Sequence, residues 1–240
     1  MVTLPLPEWL AALASRAADE VQPGAQVGLG TGSTAEAVLG ELGRRVAEGL
    51  RFTGVATSDR TAALAGQLGI PLRSIDDIDA LDLCIDGADE IDPALNLVKG
   101  RGGALLWEKI VATRAERYVI VAVADKLVAR LGTRMPVPVE VVPFGWRHTA
   151  RVLAGLGCAP TLRQVDGAPF ETDGGHYILD CTTGAIVNPA ALAVRIKAVS
   201  GVVEHGLFIG MADHVLTVDN AGIVLTLDRP HQRRAADDPI

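Results

Sequence analysis

The chain has 240 residues with 22 Lys+Arg against 29 Asp+Glu, and its formal charge of −7 excludes a basic protein that wraps nucleic acid. With 49% hydrophobic and 21% charged residues it is a globular chain rather than a disordered one, long enough for one large domain or a large and a small one. Aromatics are only 4%, so the core must be built from Ala, Val, Leu and Ile, and stacking platforms for unpaired bases are not expected.

Apolar residues recur at helical spacing from Pro7 to Val21 until Pro23-Gly24 stops the run, which predicts an opening helix. A strand at 25–29, a Gly/Thr/Ser turn and a helix at about 35–48 follow. The unit repeats as a strand at 52–56 and a helix at 61–68 closed by Gly69, a residue suited to a left-handed cap. Strands are then expected at 81–85 and 118–124, with a helix at 104–116 between them. Apolar strands alternating with helices describe a parallel sheet covered on both faces.

Beyond Lys126 the pattern changes to a strand at 137–142, a helix at 148–156, a hairpin pair at 161–165 and 176–181, a helix at 189–199 and a strand at 202–207. That βαββαβ order is the ferredoxin-like motif. Strands at 214–218 and 222–227, divided at Asp219-Asn220, return to the first part. The fold class is therefore α/β: a Rossmann-like parallel-sheet domain (1–130 plus 208–240) with a smaller ferredoxin-like α+β domain (131–207) inserted before the C-terminal strands.

Cys84, Cys158 and Cys181 are an odd number without CxxC spacing, so neither a disulfide framework nor a zinc site is expected. The N-terminus lacks a cationic start followed by an apolar stretch, and the longest apolar run, 118–124, is far short of the ~20 residues that cross a bilayer. The reading is a cytoplasmic protein with no membrane partner.

Four segments carry candidate chemistry. Gly28 to Thr34, between a strand and a helix, offers glycines, hydroxyls and free N–H groups, a turn that binds phosphate or simply caps the helix. Asp86-Gly87-Ala88-Asp89-Glu90-Ile91-Asp92 follows a strand at the sheet edge where open α/β sheets bind ligands. Its carboxylates can grip sugar hydroxyls, shuttle protons or hold a cation, or form a solvated acidic loop. Lys99-Gly100-Arg101-Gly102-Gly103 leads into the helix bearing Glu108, whose side chain leans back toward that loop. Lysine, N–H groups and a carboxylate there suit proton abstraction beside a carbonyl, although a Glu in an early helical turn is favourable without any catalytic role. Lys126, at the end of another strand, can neutralise a phosphate as a point charge. The five histidines show no metal-ligand spacing.

Taken in order, GLGTGSTA, TSDRTAALAGQLGIPL, DGADEID, KGRGGALLWEKI, VADKLV and PVEVVPF resemble the ribose-5-phosphate isomerase A family over essentially the whole chain. The resemblance implies a substrate-binding turn at Thr31, Gly32, Ser33 and Thr34, an acidic sugar-binding loop at Asp86, Gly87, Ala88 and Asp89, and a second binding loop at Lys99, Gly100, Arg101 and Gly102. It further implies Glu108 as the general base, Lys126 as a substrate contact, and a phosphosugar substrate handled without redox cofactor or metal. A homodimer or homotetramer is implied as well, with the smaller domain as a candidate interface. Arg101 departs from the run of glycines common in bacterial members, and no lysine stands near the N-terminus to reach phosphate. Two rivals compete: a sugar-phosphate sensor without turnover, and a CoA-transferase-like enzyme with a nucleophilic Glu. The presence of both Lys99 and Glu108 and the lack of a basic N-terminal helix-turn-helix favour an enzyme over the sensor, and a thioester adduct on Glu108 after incubation with an acyl-CoA would mark the CoA-transferase-like rival.

Overall fold

The computed structural model describes residues 7–219 and 222–229. In chain order, α1 (Glu8–Ala18), β1 (Gln26–Leu29), α2 (Ser33–Ala47), β2 (Thr53–Ala56), α3 (Asp59–Gln67) and β3 (Leu83–Asp86) lead to two short strands, β4 (Glu90–Ile91) and β5 (Leu97–Val98). Then come α4 (Leu105–Thr113), β6 (Tyr118–Val123), β7 (Val137–Val141), α5 (Trp146–Ala154), β8 (Ala159–Leu162), β9 (Gln164–Val165), β10 (Ala168–Pro169) and β11 (Tyr177–Thr182). The chain continues through α6 (Pro189–Lys197), β12 (Val202–His205), β13 (Leu207–Phe208), β14 (His214–Val218) and β15 (Val224–Asp228).

The main sheet has the order β15-β14-β6-β3-β1-β2, parallel except for β15 at its edge. The central strands β3 and β6 are buried on both faces, which is why they read as unbroken apolar runs, whereas the edge strand β15 is largely exposed. One face packs on α1 and α2 through Leu13, Leu39 and Leu42; the other packs on α4 and β13 through Val111, Ala112 and Phe208. From β1 the chain winds outward to β2 and then back past β1 to β3. The strand order therefore reverses between β1 and β3, the place where sheets of this kind open a ligand crevice.

A second sheet, β12-β7-β11-β8, is antiparallel and carries α5 and α6 around a core containing Val137, Leu153, Leu179 and Ile196. Its order realises the βαββαβ motif, so the α/β class with a Rossmann-like sheet and a ferredoxin-like companion holds. Among the described residues no helix is long and apolar enough to cross a membrane.

Local departures have local causes. The strand expected over 202–207 breaks at Gly206, whose N–H donates to Pro138 O at 2.7 Å, and β13 instead pairs with β5 in a three-stranded sheet with β4. The expected hairpin pair exists as β8 against β11, but residues 164–165 fold onto β10 through Asp166 and Gly167, both at positive φ. The α4 helix stops at Thr113 rather than 116, because Ala115 bridges to Leu81 beside the main sheet. Ser58 Oγ accepts from Thr61 N at 3.1 Å and starts α3 two residues early. Of the turn expected at Asp219-Asn220, Asn220 lies outside the described residues, while β14 and β15 pair antiparallel on either side.

Candidate active site

Three loops meet at the C-terminal edge of the main sheet. The turn after β1 sits beside β3, and the contact is close: Gly30 N–H donates to Ile85 O at 2.9 Å and Thr31 N–H to Asp86 Oδ1 at 3.1 Å. A Cβ on Gly30 would stand 2.5 Å from Asp86 Cα and 2.3 Å from its Oδ1, so glycine is required there by approach rather than by backbone angle. Gly32 is required for the other reason, with φ 108° at the entry to α2. Gly28, by contrast, belongs to β1 and packs under Val111 and Cys84 instead of shaping the turn. Gly30→Ala should therefore lower both the melting temperature and the yield of active protein, since backbone as well as side chain must shift. Overpacking of this kind typically costs about 1–3 kcal/mol. Thermal denaturation beside Gly40→Ala, where a Cβ meets nothing, checks it.

Asp86 closes β3, fully buried, and its Oδ1 also accepts from Gly87 N at 2.7 Å. Lys99 follows β5 and is held with its ammonium 2.6 Å from Gly87 O, 3.0 Å from Asp86 Oδ2 and 3.3 Å from Glu108 Oε2. Phe208 floors the group, its ring centroid 5.5 Å from the Lys99 nitrogen. Glu108, in the first turn of α4, is only 4% exposed. Two carboxylates thus share one ammonium inside the protein, and neither Asp86 Oδ2 nor Glu108 Oε2 receives a hydrogen bond among the described residues.

The electrostatic consequence is uneven. Burial lifts Glu108 to about 8, with Lys99 pulling it down and Asp86 pushing it up. Burial also raises Asp86, against Lys99 and the two backbone N–H groups. For Lys99, burial works against the charge, but Asp86 and Glu108 outweigh it and hold the ammonium protonated well above neutrality. The cluster therefore sets one protonated ammonium between two carboxyls whose proton affinity burial raises, Glu108 to about 8.

A cavity of about 300 Å³ opens on this cluster, lined by Thr31, Gly32, Ser33, Thr34, Gly87, Ala88, Asp89, Lys99, Gly100, Arg101, Gly102, Glu108 and Lys126. Every site residue that the family resemblance implies lines it except Asp86, which lies behind the wall, hydrogen-bonded to Thr31 and Gly87 and ion-paired with Lys99. Asp89 Oδ2 accepts from Arg101 N at 3.0 Å and ties the acidic loop to the glycine loop. Lys126, half-buried in a 3-10 turn after β6, brings a second amine to the rim. Glu90 and Ile91 are not part of a solvated loop: Ile91 packs in the core, and the Glu90 carboxylate accepts from the backbone N–H groups of Gly132, Arg134 and Met135 at 2.5–2.9 Å. The sequence carries no local signal of the hydroxyl cluster behind the first turn. Thr31 Oγ1 lies 2.8 Å from Thr57 Oγ1 and Ser58 Oγ and 3.0 Å from Thr61 Oγ1, so its hydroxyl is already engaged. The spacing of Thr57, Ser58 and Thr61 reads locally as a helix cap, and only the β1–β2 pairing brings it to Thr31.

The architecture and the sequence have close counterparts. Residues 53–222 match the family model of ribose 5-phosphate isomerase A (phosphoriboisomerase A). A ribose-5-phosphate isomerase A from Synechococcus sp. (strain JA-3-3Ab) is 55% identical over 215 residues, covering 88% of this chain and 94% of that protein. One from Thermomicrobium roseum is 56% identical over 211 residues, covering 87% and 89%. A solved D-ribose-5-phosphate isomerase in complex with phospho-erythronic acid superposes with a TM-score of 0.89 at 36% identity, covering 94% of this chain and all of the other. A parallel sheet opened between β1 and β3, a buried Lys–carboxylate cluster on its crevice and this similarity over nearly the full length agree: the chain belongs to the ribose 5-phosphate isomerase A family and is an isomerase.

Proposed function

We propose that the chain interconverts D-ribose 5-phosphate and D-ribulose 5-phosphate through an enediolate, with Glu108 as the general base, as a step of the non-oxidative pentose phosphate pathway. The observation that carries this reading is the burial of Glu108 beside Lys99 on the cavity wall. Moving hydrogen between C2 and C1 requires a base that takes a proton from carbon and returns it to the neighbouring carbon. A carboxyl raised to about 8 is strong enough to remove it and, once protonated, acidic enough to give it back. The oxygen left with the charge is stabilised by Lys99 and by N–H groups of the 99–102 loop.

Asp89 faces the cavity and takes the role of handling the sugar hydroxyls and assisting ring opening. Asp86, enclosed behind the wall, fixes Lys99 and the Thr31 turn. The free N–H groups at the start of α2, with Ser33 and Thr34, and the Lys126 amine offer the phosphate its partners. If Lys126 holds phosphate alike in the ground and transition states, Lys126→Ala should raise KM about tenfold or more while kcat changes less than threefold. Steady-state kinetics on ribose 5-phosphate, with a panel of other aldose phosphates, tests both this and the substrate.

We also take 131–207 as a structural unit of its own, because every strand of the antiparallel sheet falls inside it. Self-association into a homodimer or homotetramer through that unit is supported by the exposure of Phe144, Val187 and Val194 upon it. Sedimentation of the purified protein measures the state directly.

A further inference from the structure

The glycine loop that lines the cavity is gripped from its far side by a residue of the antiparallel layer. Arg163, directly after β8, donates from Nη1 to Gly100 O and Arg101 O, both at 3.0 Å. Its other edge is locked by a two-point contact with Asp180 of β11, Nε to Oδ2 at 2.9 Å and Nη2 to Oδ1 at 2.5 Å. The guanidinium thus has one orientation, imposed by β11 rather than by the loop it holds.

Peptide planarity carries this grip through to the cavity. In a trans peptide the N–H points opposite to the C=O it is joined to. With the carbonyls of residues 100 and 101 both turned to Arg163, the N–H groups of Arg101 and Gly102 must both turn away from it. The first accordingly donates to Asp89 Oδ2 at 3.0 Å. The second, on a residue that lines the cavity, donates to no described residue. Two successive N–H groups aimed the same way form an anion-binding concavity, here with one donor already engaged and one open.

We propose that Arg163 is a positioning residue for the isomerisation: through the carbonyls of Gly100 and Arg101 it directs the Gly102 N–H at the substrate oxygen that becomes anionic. This deepens the reading of the site given above and rests on it. Arg163 touches no substrate, and Asp180 acts one step further back by fixing Arg163.

The test uses the full-length protein with Arg163→Met, Arg163→Lys and Asp180→Asn, and two inhibitors. Phospho-erythronic acid bears a carboxylate where the enediolate charge develops, whereas ribitol 5-phosphate offers the same phosphate and hydroxyls without that charge. Removing the grip should lower kcat about 10²-fold with KM within threefold, because a misaimed donor is felt in the transition state. Phospho-erythronic acid should bind about tenfold more weakly and ribitol 5-phosphate unchanged. Arg163→Lys, which keeps a cation but loses the fork, should fall between, and Asp180→Asn should show the same pattern in milder form.

Unchanged kcat in Arg163→Met, or equal weakening of both inhibitors, overturns the proposal. If Arg163→Met does not fold, the Lys and Asn variants decide by the same inhibitor ratio. Inhibitor binding by calorimetry needs no turnover, so a failure of Glu108 as base, seen as full activity in Glu108→Gln, is told apart from a failure of Arg163.

Discussion

Glu108→Gln should reduce kcat on ribose 5-phosphate by about 10²–10⁴-fold, the usual contribution of a positioned base, with KM altered only a few-fold. Glutamine keeps the shape and much of the polarity of the side chain but cannot accept a proton from carbon. The pH dependence supplies the signature. The base must be ionised to start the reaction, so the wild-type rate should climb as pH rises through about 8 and then level off, and the variant should lose that limb. Retention of near-normal turnover would assign the proton transfer to another group.

The same substitution should make the protein harder to melt. A folded-state value raised from 4.5 to about 8 means that the native protein binds this proton more tightly than the unfolded chain. Stability from this group is therefore fully present below about 4.5, declines as pH rises through the window and is flat above 8. Glutamine has no such decline. The melting temperature of the variant should exceed that of wild type by a margin that widens from pH 5 to pH 8 and then holds constant, as differential scanning calorimetry would record. Activity and stability moving in opposite directions at one position would mark a buried carboxylate retained for its chemistry.

Lys99→Met should be damaging in both respects. It deletes the cation that pairs with both Asp86 and Glu108, and removing a single partner from a buried ion cluster typically costs about 3–5 kcal/mol. In a chain of this size that corresponds to a fall in melting temperature of the order of 10 °C. The two carboxyls, deprived of the charge that pulls them down, should shift further up, so residual activity should move to more alkaline pH. Loss of the electrophile should lower kcat about 10²–10³-fold even at temperatures where circular dichroism shows the protein folded. Lys99→Arg should not restore it, because a side chain only 2% exposed leaves no room for the larger fork. A folded Lys99→Met enzyme of ordinary kcat would contradict the assignment.

The legibility of this molecule in its sequence follows the range of the interactions. Strands such as 118–123 announce themselves because both faces are buried, and the helices because their apolar residues fall on one side. Glu108 could be placed on a helix facing the glycine loop with Lys99, but the burial that raises its basicity, and the approach of Asp86 from the end of β3, are set by the tertiary fold. Two-residue strands such as β4, β5 and β13 are too short to carry a period, so Glu90 and Asp92 read as part of one acidic loop with Asp86 and Asp89. Glu90 in fact anchors residues 132–135, and Asp92 Oδ1 closes a local turn on Ala94 N and Asn96 N, both at 2.9 Å. Arg163, 62 residues from Arg101, gives no local signal at all.

The antiparallel layer also reaches the main sheet at a second point, where Asp173 Oδ2 accepts from Asp59 N at 2.9 Å at the start of α3, while Phe170 lies against Gly103. The stretch between β8 and β11 thereby ties together the 100–103 loop and the start of α3, so the two layers share these contacts and are expected to come apart together. Heating should consequently produce a single endotherm whose van't Hoff and calorimetric enthalpies coincide.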